Sequence, residues 1–219
     1  MTLEEAFRAL ENMGGIIRDH FTFPVYPSFS KGIRVHGDTY VDRNKIYVNP
    51  EILSVFAREM AESVIDRKIE TVVSDKNGQV LSYAVAKWIG KLKGKSTCSV
   101  VAHMKRHGVF MFEEDLFDQY VSGHRILIVE DIISSAISLK GIKKALTRRS
   151  VKNLRMGNLV EVAAIFNERG MTSQDIGVSN FLCLKEFETW DPSECELCKK
   201  HVPLRGDVRL DRDITYHRI

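Results

Sequence analysis

The segment 125–129 constrains this chain more than any other. Ile126, Leu127, Ile128 and Val129 are consecutive and apolar, and the run stops at Glu130-Asp131. A continuous apolar strand of this kind is expected to be buried on both faces, as a central strand of a parallel sheet is. Its surroundings repeat the pattern. Leu53, Phe56, Met60 and Val64 space as one helix face, with Pro50 near the first turn. Segment 69–73 reads as a strand and 80–92 as a helix with Leu81, Ala84, Val85, Trp88 and Leu92 on one side. Strands are expected at 98–102, 159–166 and 181–184, and a helix at 138–148. Short strands alternating with helices imply an α/β fold with a doubly wound, mainly parallel sheet.

The flanks are less regular. Thr2 suits the N-cap of a helix over 3–13, with Glu5 in capping-box position and Gly14-Gly15 ending it. Segment 20–31 mixes aromatics and prolines and reads as irregular or edge-like. Segment 38–48 is rich in β-formers and reads as a hairpin or bent strand. Segment 104–123 lacks clean periodicity, which implies a long loop or hairpin. The expected organisation is an N-terminal helix and hood segment over 1–50, an α/β core over 51–185, and a C-terminal tail over 186–219.

The chain has 219 residues, 44% of them hydrophobic and 28% charged, enough to bury a sizeable core. Its net charge of +3 is too small to argue for a nucleic-acid or membrane surface. Basic clusters stand at 87–95 and 140–149, and the second, on an expected amphipathic helix, reads as a solvated face. No stretch approaches the roughly 20 apolar residues of a membrane span. The start, Thr2-Leu3-Glu4-Glu5, does not read as a secretory leader, so a cytoplasmic location is expected.

Ligands of open α/β sheets bind beyond the carboxyl ends of the strands, where Glu130 and Asp131 stand. Two adjacent carboxylates at such a place need donors, either sugar hydroxyls or a metal. The turn that follows, Ser134 to Ser138, is small and rich in hydroxyls and leads into a helix. Such a turn presents N–H and O–H groups to a phosphate.

The stretch Val129-Glu130-Asp131-Ile132-Ile133-Ser134-Ser135-Ala136-Ile137-Ser138 resembles the 5-phosphoribosyl-1-pyrophosphate (PRPP) motif of type I phosphoribosyltransferases, typically V-E-D-V-x-T-T-G-G-S. The resemblance implies that Glu130 and Asp131 hold the ribose hydroxyls. It implies that Ser134, Ser135, Ala136, Ile137 and Ser138 cradle the 5-phosphate. Ala136-Ile137 stands where the pattern has Gly-Gly. Glycine accepts positive φ, and a β-branched Ile137 there would be disfavoured and would narrow the cradle.

Other segments resemble the orotate phosphoribosyltransferase-like branch, and in its order. His36-Gly37-Asp38-Thr39-Tyr40-Val41-Asp42 resembles H-G-x-x-Y-V-N, and Lys105-Arg106-His107-Gly108 resembles the K-x-H-G of a mobile catalytic loop. Segment 167–178 resembles N-R-G-G-x-T-A-E-D-L-G-V, and 190–204 resembles a C-P-L-C…I-P-L tail. The resemblance spans roughly 18–205. It implies transfer of a phosphoribosyl group from PRPP to a base, orotate first among them, with Mg²⁺ bound alongside PRPP in a homodimer. Lys105 and His107 would meet the leaving pyrophosphate, with Asp131 as the third catalytic group, and Lys76, Asn77 and Gly78 would serve the pyrophosphate loop. Val101 and Ala102 replace basic residues of the family's loop, which Lys76 and His103 would offset. Arg34, Arg43 and Arg169 are the candidate partners of orotate's carboxylate. The alternative is a catalytically weak or inactive PRPP- or nucleotide-binding regulator of the same fold. Neither reading calls for nucleic acid or a membrane as partner.

Of the four cysteines, Cys195 and Cys198 have half of a zinc site's spacing, which Cys183 and His201 would complete. Reduced thiols are the simpler reading, since the tail resemblance accounts for the pair without a metal.

Overall fold

The computed structural model of the chain describes residues 1–24, 34–105, 109–134, 136–153, 160–168 and 170–207. Helix α1 (Leu3–Asn12) opens on the expected capping box, in which the Thr2 hydroxyl accepts from Glu5 N–H and the Glu5 carboxylate accepts from Thr2 N–H. Strands β1 (Ile16–Pro24) and β2 (Arg34–Val41) pair antiparallel, and the four-residue helix α2 (Asn44–Tyr47) follows. So 20–24, expected to be irregular, continue a strand, and 44–47, expected to extend a strand, form a helical turn; residues 25–31 lie outside the described residues. The β1–β2 register shifts between Arg18 and Phe21, where Asp19 and His20 together face Asp38. That bulge breaks the alternation by which a strand is read from sequence.

The core begins with α3 (Pro50–Ser63), capped by the Asn49 side chain, and a short 3₁₀ turn at Ile65–Arg67. Then come β3 (Thr71–Asp75), α4 (Gln79–Lys93), β4 (Cys98–Met104), β5 (Phe110–Met111) and α5 (Glu114–Tyr120). The segment 104–123 thus holds both a hairpin and a helix. Next are β6 (Ile126–Ile133), α6 (Ile137–Asn153), β7 (Val160–Asn167), α7 (Ser173–Ile176) and β8 (Phe181–Glu186). The tail adds β9 (Thr189–Trp190), α8 (Glu196–Lys199) and β10 (Gly206–Asp207).

Two sheets result. The larger has the order β5-β4-β3-β6-β7-β8, parallel throughout except for the β4–β5 hairpin. Counting only its parallel strands in chain order gives 2-1-3-4-5, a doubly wound sheet whose switch point lies between β3 and β6. Alternation along these strands feeds two cores. Val72, Leu127, Val129 and Ala163 pack with α1, α3 and α4, while Val73, Ile126, Ile128 and Ala164 pack with α5 and α6. The smaller sheet, order β10-β1-β2-β9, joins the N-terminal strands to the C-terminal tail. Among the described residues no helix is long and apolar enough to cross a membrane.

Candidate active site

The parallel strands all end at one edge of the large sheet, which brings together Asp75 at the end of β3, Lys105 just past β4, Glu130 and Asp131 in β6, and Asn167 at the end of β7. The acids do not stop their strand, as the sequence implied. β6 continues through them to Ile133, held by β7 through the pairs Glu130–Ala164 and Ile132–Phe166. A neighbouring strand of equal length supplies the ladder bonds that override the low strand propensity of acidic residues.

Because successive side chains of a strand point to opposite faces, the two acids do different things. Asp131 faces the side of α2. It accepts a 2.8 Å hydrogen bond from the Tyr47 hydroxyl and a 2.7 Å bond from Ile132 N–H, and it lies 3.9 Å from Arg43. Burial still raises its carboxyl above the usual range, because Arg43 and the two hydrogen bonds only partly oppose desolvation. Glu130 is buried on the other side, and its Oε1 has no hydrogen-bond partner among the described residues. Burial, followed by the nearby Asp75 and Asp131 carboxylates, pushes Glu130 well above the usual carboxylate range. Excess buried acceptors of this kind suit a ligand that brings hydroxyl donors or a hard cation.

Glu130 lines a cavity of about 60 Å³ together with Ser134, Ala136, Ile137, Ser138 and Leu139. Ser135 lies outside the described residues. Ala136 holds φ at +53°, the left-handed conformation that glycine adopts freely. The expectation of strain at Ile137 is corrected, since Ile137 is the first residue of α6 and Ala136 makes the turn. The Ala136 carbonyl accepts the first helical bond, from Lys140 N–H, so the N–H groups of Ile137, Ser138 and Leu139 have no intrahelical acceptor. The turn therefore leaves backbone N–H groups open at the start of α6 without the glycines that usually allow such a conformation.

The β3–α4 turn is occupied from within. Asp75 accepts from Asn77 N–H at 2.8 Å, from Gly78 N–H at 2.9 Å and from Asn77 Nδ2 at 3.2 Å, while Lys76 and Asn77 are exposed. A Cβ on Gly78 would sit 3.1 Å from Ser74 Cβ, so the turn packs closely on β3. Lys105 is exposed, and its N–H donates to Val109 C=O at 2.8 Å across the β4–β5 connection. His107, Arg106 and Arg169 lie outside the described residues. His103, expected to add charge to the loop, stands 4.0 Å from Glu113 instead. Asn167 is fully buried and clamps its own loop, donating to Met171 C=O and to Glu186 while accepting from Met171 N–H.

The sequence reading missed Tyr47, Asp75 and the Arg43–Asp131 contact. Asp75 was the most accessible of these, as an acid ending a strand before Asn-Gly. Two readings of the tail are corrected. Cys183 lies on β8 with its thiol donating to Lys185 C=O, and His201 is exposed in a left-handed turn beyond α8. Neither joins Cys195 and Cys198, whereas His20 and His36 do.

No protein-family model matches the chain. It is 25% identical over 206 residues to the orotate phosphoribosyltransferase of Thermoanaerobacter sp. (strain X514), covering 93% of this chain and 96% of that one. The orotate phosphoribosyltransferase of Thermotoga maritima is 26% identical over 196 residues, 89% of this chain and 92% of that one. Among solved structures, the adenine phosphoribosyltransferase of Giardia lamblia superposes with a TM-score of 0.56 at 16% identity, over 85% of this chain and 98% of that one. The Mycobacterium tuberculosis orotate phosphoribosyltransferase, solved in complex with inorganic phosphate, gives 0.53 at 18% identity, over 83% and 95%. This strand order, with an acid pair at the switch point and a tight turn into the next helix, is the type I phosphoribosyltransferase fold. Within that class the chain is similar to the orotate phosphoribosyltransferase branch along nearly its whole length.

Proposed function

We propose that the chain transfers the 5-phosphoribosyl group from PRPP to orotate and releases pyrophosphate, a step of pyrimidine synthesis. The observation that carries this reading is the turn before α6, which keeps a left-handed residue at position 136 although alanine has replaced glycine. A backbone held in a costly conformation favours a ligand that needs it.

In this reading residues 51–185 form the PRPP-binding core, and 1–50 with 186–219 form the hood over the base. Glu130 and Asp131 accept from the ribose hydroxyls, while the free N–H groups of α6 and the hydroxyls of Ser134, Ser135 and Ser138 hold the 5-phosphate. The bond from C1 to pyrophosphate breaks and a bond from the base nitrogen to C1 forms, that nitrogen giving up its proton. Negative charge grows on the departing pyrophosphate, and Lys105, His107 and Lys76 meet it. Closure of the loop carrying Lys105 and His107 excludes water, and the working unit is a cytoplasmic homodimer in which that loop serves the neighbouring site. Bound with PRPP, Mg²⁺ would supply charge neutralisation to the phosphates, and Glu130, whose Oε1 lacks a partner among the described residues, and its acidic neighbours would suit it. With Arg43 beside Asp131, Arg34 and Arg169 remain for the carboxylate of orotate.

A second reading, a PRPP- or nucleotide-binding regulator without turnover, is favoured by three observations. Tyr47 and Arg43 engage Asp131, Asp75 occupies the N–H groups of Asn77 and Gly78, and the cradle holds only about 60 Å³. Calorimetric titration of Mg-PRPP, with pyrophosphate release followed over a panel of bases including orotate, separates the two. Turnover with orotate that Asp131→Asn abolishes and Lys105→Ala slows supports the enzyme. Tight PRPP binding with no turnover on any base supports the regulator.

A further inference from the structure

We propose that His20, His36, Cys195 and Cys198 form a tetrahedral zinc site that fastens the C-terminal tail to the β1–β2 hairpin. One ligand atom from each residue lies within 4.8 Å of all the others. The His20 Nε2 to His36 Nδ1 distance is 3.1 Å, Cys195 Sγ lies 3.4 Å from His20 Nε2, and Cys198 Sγ lies 3.8 Å from His20 Nε2 and 3.3 Å from His36 Nδ1. A tetrahedral zinc with bonds of about 2.0 Å to nitrogen and about 2.3 Å to sulfur places its ligand atoms roughly 3.3–3.8 Å apart. The four atoms already stand close to that arrangement.

Hydrogen bonding alone does not account for the cluster. His20 Nδ1 lies 2.8 Å from Val202 C=O, an acceptor only, so the ring proton sits on Nδ1 and Nε2 presents its single lone pair to the cluster. Three polar atoms crowd that one lone pair, and a shared cation satisfies all of them at once. The Val202 contact is also the outer partner that a zinc-bound histidine ordinarily has. His20, His36 and Cys195 are buried, so the four side chains form a closed set with no position left for substrate, which marks a structural rather than a catalytic metal.

The local structure is built for it. The bulge at Asp19-His20 sets His20 diagonally across from His36, which pairs with Thr22. Cys195 caps α8 and Cys198 lies one turn on, so both sulfurs share a side of the helix. His201 then takes φ of +56° and turns the chain so that Val202 reaches His20. Without a metal the tail would meet this hairpin through strands of two residues each, β9 and β10. A zinc joining positions 20 and 195 would act as a long-range staple.

The test is metal analysis of the full chain purified under reducing conditions without chelator, followed by cobalt titration of the zinc-free protein. The expected result is one zinc per chain, one cobalt per chain on reloading, and the intense visible absorption of tetrahedral cobalt with thiolate charge-transfer bands. The double variants Cys195→Ser with Cys198→Ser, and His20→Ala with His36→Ala, are expected to lose the stoichiometric metal, while Cys98→Ser and Cys183→Ser keep it. Chelation of the wild type is expected to lower its Tm. Should a double variant misfold, the cobalt spectrum of the wild type decides alone. Failure of the reduced wild type to take up either metal stoichiometrically, an octahedral cobalt spectrum, or full retention of metal by either double variant would overturn the assignment.

Discussion

The phenol of Tyr47, in the short helix after β2, donates a 2.8 Å hydrogen bond to Asp131 Oδ2 across 84 positions of sequence. The N-terminal segment thus reaches the acid pair of the central strand. Burial and the Asp131 carboxylate raise the Tyr47 hydroxyl, so it stays protonated and remains a donor.

Tyr47→Phe should therefore make Asp131 harder to ionise, because burial already raises its carboxyl and one of the groups opposing that rise is lost. In the proposed role an ionised Asp131 would accept from ribose hydroxyls, and a protonated one would do so poorly. The acid limb of PRPP binding is expected to move to higher pH, measured as Kd against pH by calorimetry. Losing a hydrogen bond to a charged group should also cost about 1–3 kcal/mol of stability. An acid limb identical in the variant and the wild type would show that Tyr47 does not control this carboxyl.

Glu130 predicts an unusual pH dependence for the ligand-free protein. Its folded pKa lies above its unfolded value, so folding favours the protonated form. That contribution is complete below the usual carboxylate range and is lost as pH rises from there toward the raised folded pKa. Glu130→Gln keeps the shape and removes the charge, so it should flatten this part of the stability curve. At neutral pH it should stabilise the unliganded chain, because the cost of burying the charge, or of holding the acid protonated above its unfolded pKa, is removed. Denaturant unfolding across pH measures both effects, and PRPP affinity should fall in the same variant.

Asp75 has two roles that substitution can separate. As an acceptor it closes the turn that leads into α4, and as a charge it raises Glu130. Asp75→Asn keeps an acceptor oxygen for the two backbone N–H groups and should leave stability nearly intact while lowering the Glu130 pKa, read by carboxyl NMR. Asp75→Ala should lower that pKa equally and also cost about 0.5–1.5 kcal/mol for each turn hydrogen bond lost. Equal destabilisation by both variants would refute the role of Asp75 as the acceptor of the turn.

How much of this was legible in the sequence depended on the range over which each signal acts. The strand through Ile126–Val129 was legible as an unbroken apolar run, and the helices over Leu53–Met60 and Leu81–Leu92 because burial repeats there at a helical period. The extension of β6 through Glu130 and Asp131 was not, because β7 imposes it from outside the segment. β1 was hidden by its own bulge, and α2 is too short to show a period. The motif order located the acid pair, but neither the Tyr47 contact nor the partnership of His20 and His36 with a cysteine pair some 175 positions away has a local signature. A Cys-x-x-Cys pair prompts a search for two more ligands, yet only the fold shows that Cys183 and His201 are the wrong ones.

The turn before α6 gives the sharpest comparison with the family pattern, because Ala136 and Ile137 replace its two glycines in different backbone states. Ala136 sits at φ of +53°, a conformation costing a residue with Cβ about 1–2 kcal/mol. Ala136→Gly removes that cost but adds the greater freedom of glycine in the unfolded chain, worth about 0.4–1 kcal/mol against it. A net gain of roughly 0.5–1 kcal/mol is expected from these opposing terms, together with tighter PRPP binding as the backbone closes on the phosphate unhindered. Ile137 is instead the first residue of a right-handed helix and gains nothing from glycine. Ile137→Gly should destabilise by up to about 1 kcal/mol, the helix penalty of glycine. Denaturant midpoints and PRPP titrations of the two single variants decide the matter. Destabilisation by Ala136→Gly comparable to that of Ile137→Gly would mean that the left-handed turn is absent and that no phosphate cradle is preformed at this helix.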